Sequence, residues 1–319
     1  MRYSNIGSLK SSKIILGTDY YGTSVTKDEA FRLIDFYRAN GGNHIDTAKI
    51  YGDGRTEPLL GEWIKSRGRD GMIIATKGAH PNFDTMQIPR LSEREIESDL
   101  DASLMRLGVD YIDLYWLHRD GESVAAGEII ESMNRMVKKG KIREFGCSNW
   151  KSRRIAEANG YAEEHGIAGF AASQIKFSPA VTSPAFCDDP TLVEMDDNEF
   201  DFYADTGMPV MAFAPQAKGF FSKMAAGGEA ALSEKARERY MCGENLERLE
   251  YIKRLSQKYG CSVAGIVCAL LASIIQADIF PIAGGKTEAQ LAESLEGDDL
   301  EISAKEAALL FKYSKMCQK

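Results

Sequence analysis

Eight times along this chain a short β-prone run gives way to an amphipathic helical pattern, and that alternation leaves few folds open. The runs are Ile14–Gly17, His44–Asp46, Met72–Lys77, Ile112–His118, Phe145–Ser148, Ala171–Lys176, Val210–Phe213 and Ile279–Ile282. The clearest helical segments, Thr26–Asn40 and Ser92–Leu107, open with capping boxes, Thr26 with Glu29 and Ser92 with Glu95. In such a box two side chains satisfy amide donors that the first helical turn leaves free. Asn40-Gly41-Gly42 and Lys139-Gly140-Lys141 supply helix stops. Strands separated by helices pair in parallel, because parallel neighbours need a crossover. Eight such units in 319 residues fit a closed (β/α)₈ TIM barrel. The competitor, a doubly wound open sheet, carries a glycine fingerprint after its first strand. Here that strand runs into Gly17-Thr18-Asp19-Tyr20-Tyr21-Gly22, which has no G-x-G-x-x-G. The expectation is one α/β barrel domain over residues 1–319, with a lead-in over about residues 1–12 and a helical extension over about residues 296–319. Two long βα connections, Ser178–Glu199 and Ala214–Glu244, are expected at its C-terminal face as lids or binding loops.

Composition removes several function classes. With 44% hydrophobic and 27% charged residues the chain can bury a full core and stay in solution. A net charge of −8 repels phosphate backbones, which argues against nucleic-acid binding. No apolar run approaches the roughly 18 residues of a membrane span. The start, Met1 to Leu16, lacks the basic head and apolar stretch of a signal peptide, so a cytoplasmic protein is expected. Cys147, Cys187, Cys242, Cys261, Cys268 and Cys317 form no C-x-x-C pair and read as reduced thiols.

In a barrel the chemistry sits where strands end and βα loops begin. The second strand ends in Asp46, with Tyr51 just beyond; the third ends at Lys77; the fourth ends at His118. A carboxylate, a phenol, an ammonium and an imidazole therefore share one rim. Reduction of a carbonyl delivers a hydride to carbon and requires a proton at oxygen. A tyrosine can give that proton, although its ordinary pKa of about 10 is high. A neighbouring ammonium would lower that pKa, and a carboxylate would hold the ammonium in place. An imidazole can donate to the carbonyl oxygen and orient it. Tyr51 is then the acid, Lys77 its tuner, Asp46 the anchor and His118 the orienting donor, with no metal required. His44-Ile45-Asp46 at a strand end raises the alternative of a metal-dependent hydrolase or lyase, but the chain has only four histidines and a lysine stands on the third strand. A regulatory barrel that binds a cofactor without turnover is the other alternative, against which the intact four residues stand.

These segments resemble the aldo-keto reductase family. Gly42-Asn43-His44-Ile45-Asp46-Thr47-Ala48 with Tyr51-Gly52 and Glu57 to Gly61 is similar to the family signature around its catalytic Asp and Tyr. Ala75-Thr76-Lys77 resembles the strand carrying its lysine, and Asp110 to His118 the segment ending in its histidine. Gly140 to Asn149 is similar to its fifth-strand segment, and the resemblance runs from about Met1 to Leu295. It implies NADPH as cofactor. By position, Ser148, Asn149 and Gln174 match contacts to the nicotinamide carboxamide, and Phe213 matches the aromatic that stacks on the ring. Gly17, Thr18 and Asp46 lie near the cofactor. Pro281 to Thr287, with Gln290 and Glu293, resembles the adenosine-phosphate site: Gly284 and Thr287 belong to its turn, Lys286 faces the 2′-phosphate and Glu293 the adenine amino group. Many members carry arginine at the positions of Asn43 and Gln290, and asparagine at Ser294. Losing an arginine near the phosphate removes a bidentate donor, so use of NADH is also expected.

The substrate is read as a small carbonyl compound. Period-two geometry places Leu114, Trp116 and His118 on one face of their strand, which makes Trp116 either core filler or pocket floor. Tyr20, Tyr21, Arg119 and Asp120 fall near the expected mouth, a mixture suited to a polar or sugar-like carbonyl. The oligomeric state is not legible at this level.

Overall fold

The computed structural model describes residues 1–183, 185–186 and 189–316. Two short antiparallel strands come first, β1 (Tyr3–Ile6) and β2 (Leu9–Ser12). Then follow β3 (Ile15–Gly17), β4 (His44–Asp46), β5 (Ile73–Gly78), β6 (Ile112–Leu117), β7 (Ile142–Ser148), β8 (Ser173–Lys176), β9 (Val210–Phe213) and β10 (Ile279–Ala283). These eight pair in parallel and close on themselves in the order β10-β3-β4-β5-β6-β7-β8-β9. The closed (β/α)₈ barrel is therefore the observed fold. Its helices are α1 (Lys27–Ala39), α2 (Thr56–Arg67), α3 (Glu93–Leu107), α4 (Ala126–Lys138), α5 (Ser152–His165), α6 (Asp197–Thr206), α7 (Phe220–Gly227), α8 (Glu234–Tyr240), α9 (Gly243–Tyr259), α10 (Val263–Ala272), α11 (Glu288–Leu295) and α12 (Ala304–Phe311).

Local chemistry explains the boundaries. Thr26 and Ser92 cap α1 and α3, and both capping boxes are complete. Along β6 the side chains alternate. Leu114 and Trp116 enter the barrel interior, while Tyr115 and Leu117 join the layer between sheet and helices. The interior is filled by Trp116, Leu114, Met211, Phe280 and Ile282. Ile6 and Leu9 of the N-terminal hairpin belong to the same cluster, so β1 and β2 plug the bottom of the barrel. Full burial of each such side chain stabilises the fold by about 1.5–3 kcal/mol. The lead-in is thus a structured element rather than a tail. Its Ser11 hydroxyl reaches the Nδ1 of buried His44 at 2.7 Å.

Both long connections are shorter than their sequence suggested. The connection after β8 ends at Asp196, whose side chain accepts from Glu199 N and starts α6, so residues 197–199 are helical. Most of Ala214–Glu244 is helical too, with a 3₁₀ turn at Ala217–Gly219, then α7 and α8, and α9 from Gly243. Buried Phe220, Phe221 and Tyr240 give this stretch an apolar anchor that a free loop would lack. The expected C-terminal extension holds α12 and a 3₁₀ turn at Ser314–Met316. Cys147, Cys242, Cys261 and Cys268 are free thiols; Cys187 and Cys317 lie outside the described residues. Among the described residues no single helix is long and apolar enough to cross a membrane. The most apolar, α10, is buried against the rest of the protein.

Two predictions follow from this packing. Gly146 faces the Trp116 ring so closely that an added Cβ would lie 2.4 Å from Trp116 Cζ3 and 2.6 Å from the Ala172 carbonyl oxygen. Gly146→Val should destabilise the protein by roughly 1–3 kcal/mol, read as a lower urea midpoint. Burial pushes the His44 imidazole from its ordinary 6.5 down to about 3, with Lys77 acting in the same direction. Between those values the unfolded chain binds a proton at this site and the folded protein does not. Stability should therefore rise with pH across that window, this residue contributing a slope approaching about 1.4 kcal/mol per pH unit. Denaturation of His44→Asn across the same window should show a shallower dependence.

Candidate active site

Asp46, at the end of β4, is the most heavily bonded residue of the rim. Its Oδ2 accepts from Lys77 Nζ at 2.5 Å, and its Oδ1 accepts from Gln174 Nε2 at 2.9 Å. Its main-chain oxygen accepts from the Thr18 hydroxyl at 2.9 Å. Lys77 donates again to the Thr47 carbonyl at 2.9 Å. Both charges are buried, so the pair would be costly without these added bonds. Burial lowers the Lys77 pKa, and Asp46 works against that effect.

Tyr51 lies in a turn just past β4, where Gly52 and Asp53 take left-handed backbone angles. Its ring is partly exposed and sits beneath the ammonium, 4.8 Å from Lys77 Nζ to the ring centroid. His118, following β6, meets the same ring edge-on at 6.2 Å between centroids. The four expected residues thus converge. One expectation about them needs correction. The net shift at Tyr51 is upward, not downward: burial raises its pKa well above 10, with Asp46 and Asp19 adding to the rise and Arg119 opposing it. The physical reason is that burial disfavours the phenolate more than an ammonium already paired with Asp46 favours it. The phenol therefore stays protonated, the state a proton donor requires. Burial also pushes the His118 imidazole well below 6.5, with Lys77, Arg119 and His80 acting the same way, so it is neutral. His118 Nδ1 is buried without a hydrogen-bond partner. An orphan acceptor is less costly than an orphan donor, so the geometry favours the proton on Nε2.

The residues matched to a nicotinamide cofactor lie around the same rim. Ser148, Asn149 and Gln174 are buried at the ends of β7 and β8. Asn149 holds φ 59, an uncommon angle for a residue with a side chain. Its amide donates to the Ser148 hydroxyl at 3.1 Å and accepts from Val193 N at 3.2 Å. Among the described residues, one Asn149 amide N–H and the Ser148 hydroxyl proton have no acceptor, a donor set that fits a carboxamide. Phe213, at the end of β9, is partly exposed and packs on the interior cluster. Gly17 and Thr18 are buried beside Asp46. Gly284 approaches Gly17, where an added Cβ would stand 3.6 Å from the Gly17 carbonyl oxygen. Thr287 caps α11, and exposed Lys286 stands over the Tyr20 ring at 5.2 Å. Exposed cation and helix start together suit a phosphate. Gln290 accepts from Lys286 N at 2.9 Å and so braces the turn, while Glu293 is exposed. Ser294 accepts from Gln216 Nε2 at 2.8 Å, which stitches the segment after β9 to α11.

The expected substrate-pocket residues divide. Tyr20 is partly exposed at the mouth. Arg119 donates to the His118 carbonyl at 2.8 Å and to Thr191 Oγ1 at 2.9 Å, and pairs with Asp189 at 3.4 Å. Tyr21 is 1% exposed and belongs to the core cluster, so it is core rather than pocket lining; Tyr20 packs against the same cluster from its partly exposed edge. Trp116 has no exposure and is barrel filler, since its ring fills the space above Gly146. Asp120 turns away to Arg154 at 3.4 Å. Sequence reasoning missed Asp19, which is exposed beside the site and acts on both Tyr51 and Lys77. It also missed His80, whose signal was available: one of four histidines, three positions after Lys77.

The sequence profile of the aldo/keto reductase family matches residues 13–314. The chain belongs to this family of oxidoreductases. It is 28% identical over 315 residues to an uncharacterized oxidoreductase, YrpG, of Bacillus subtilis, covering 95% of this chain and 92% of that one. It is 33% identical over 185 residues to a norsolorinic acid reductase of Emericella nidulans, covering 54% of this chain and 48% of that protein. The aligned part thus spans about half the length of that relative. A protein of Arabidopsis thaliana named as a probable voltage-gated potassium channel subunit beta is 27% identical over 320 residues, covering 94% and 92%.

The Asp46–Lys77 pair yields a direct test. Asp46→Asn leaves a buried ammonium without its counter-charge. The variant should lose roughly 3–5 kcal/mol of stability, measured by chemical denaturation near neutral pH.

Proposed function

We propose that this protein is an NADPH-dependent reductase of aldehydes and ketones, with Tyr51 as proton donor. The observation that carries this reading is the convergence of a protonated phenol, a neutral imidazole and a carboxylate-anchored ammonium on one rim. When bound, the nicotinamide supplies a hydride to the carbonyl carbon. Ser148, Asn149 and Gln174 would hold its carboxamide, Phe213 would offer its ring an aromatic surface, and Gly17 and Thr18 would leave room beside it. Lys286, with Gly284, Thr287, Gln290 and Glu293 around it, receives the adenosine and its phosphate. NADH serves as well, because Gln290 offers no fixed cation.

The rest is done by protein groups. His118 Nε2–H donates to the substrate oxygen and fixes its direction. Tyr51 gives its proton to that oxygen as negative charge develops there. Lys77, over the ring, offsets the charge left on the phenolate, and Asp46 keeps the ammonium charged and still. The same groups run in reverse for alcohol oxidation. Tyr20, Asp19, Arg119 and Thr191 give the mouth a polar character suited to a sugar-like carbonyl compound, in a cytoplasmic setting. A second reading, a cofactor-binding regulatory barrel without turnover, is favoured by the likeness to proteins named as potassium channel β subunits.

Oxidation of NADPH and of NADH should be followed with aldehydes, ketoses, quinones and steroid-like ketones. The reductase reading expects turnover that falls about 10²- to 10⁴-fold in Tyr51→Phe. Lys286→Ala should reduce the preference for NADPH by about tenfold. Tight NADPH binding with no oxidation across the panel would instead establish the regulatory reading, and equal rates with sugar-like and steroid-like carbonyls would remove the substrate assignment.

A further inference from the structure

Among the described residues, none hydrogen-bonds the His118 ring. Its Nδ1 is buried and unpartnered, and its carbonyl, not its imidazole, receives Arg119. What does touch the ring is a second imidazole. His80 lies in the connection between β5 and α3, 5% exposed, and meets His118 edge-on at 4.9 Å between centroids and 74° between planes. Its own Nδ1 lies 2.6 Å from the Pro81 carbonyl. A carbonyl only accepts, so Nδ1 carries the proton and Nε2 is bare.

His80 is itself held from several sides. Phe83 packs on its ring at 5.3 Å. Arg90 donates to its carbonyl at 3.2 Å and grips Asp99 through both terminal nitrogens, at 2.8 and 2.9 Å. Asp99 also accepts from Ala79 N at 2.9 Å and from Lys49. Ala79 takes φ 57, which turns the chain sharply between Lys77 and His80. This restraint runs from α3, through a saturated carboxylate, to the residue leaning on His118. Beside it opens a cleft of about 560 Å³ lined by Lys49, Lys77, His80, Phe83, Arg90 and Asp99 among others, so His80 and Lys77 both border it.

We infer that His80 is a positioning residue for His118: its ring, clamped by Pro81, Phe83 and the Asp99–Arg90 pair, holds the His118 imidazole in the orientation and tautomer that donate to a carbonyl oxygen. The inference rests on the reductase reading of the rim. The groups facing His118 are Tyr51 from the turn after β4, Lys77 from β5, Arg119 beside it in the chain, and His80. Of these, His80 is a neutral ring outside the four reacting groups, so its removal leaves both the charges and the proton donor in place. An edge-to-face contact of this kind is lost with alanine and kept with phenylalanine.

Two variants and two readouts test this. Ring nitrogen-15 shifts of His118 in the nucleotide-free protein should show one tautomer in the wild type, an averaged pair of shifts in His80→Ala, and one tautomer again in His80→Phe. In NADPH-coupled reduction, His80→Ala should lower kcat about tenfold to a hundredfold with little change in the KM for NADPH, and His80→Phe should recover most of that loss. Unchanged His118 shifts and kcat in His80→Ala, or equal losses in both variants, would overturn the inference. The nitrogen shifts need no turnover. An inactive wild-type protein with the expected shifts would remove the reductase reading while leaving the contact between the two imidazoles established.

Discussion

The buried pair of Lys77 and Asp46 is the contact on which this rim depends. Two charges taken out of water at the ends of β4 and β5 are tolerable only with further hydrogen bonds, and two residues supply them: Gln174 from β8 to the carboxylate, and the Thr47 carbonyl to the ammonium, while Thr18 following β3 holds the Asp46 main-chain oxygen. The pair therefore ties adjacent strands together and reaches across the barrel to a third. Tyr51 lies under the ammonium and His118 beside Tyr51, so their placement follows from where that charge sits.

Around this centre the molecule uses a common device: a strand delivers a side chain to the rim, and the next residues turn away abruptly. Ala79, Asn149 and Ala214 all take positive φ just after β5, β7 and β9. Such angles cost of order 1 kcal/mol or more for residues with a Cβ, and they persist where surrounding structure over-determines them. Here the determinants are visible: Ala79 N is bound by Asp99, and Asn149 N by the Gln174 carbonyl. Away from the rim, Glu57 plays a supporting part, accepting from Thr76 at 2.7 Å and Arg106 at 3.2 Å and so fastening α2 to β5 and α3.

Much of this was legible in the residues themselves. Every barrel strand coincides with a β-prone run, since a strand facing packed layers on both sides must be apolar, and both capping boxes form as written. Asp46, Tyr51, Lys77 and His118 were legible because strand ends are easy to place and their residue types are uncommon there. What was hidden depended on distant partners. The hairpin of β1 and β2 needs the barrel bottom to pack on, and α7 and α8 need a surface for Phe220, Phe221 and Tyr240. The direction of the Tyr51 shift was misjudged because a sequence displays the lysine but not how deeply the phenol is buried, and burial is the larger effect. Tyr21 was misplaced because no periodicity in a loop tells which of two adjacent tyrosines the core will take in.

The hairpin plug has a consequence for traffic. Ile6 and Leu9 seal one end of the barrel, and Trp116, Phe280 and Met211 occlude its centre, so no molecule passes through. A molecule that meets Tyr51 would therefore use the rim that Ser148, Asn149 and Gln174 also line, and a few apolar side chains at the opposite end of the protein make that rim a dead end rather than a passage.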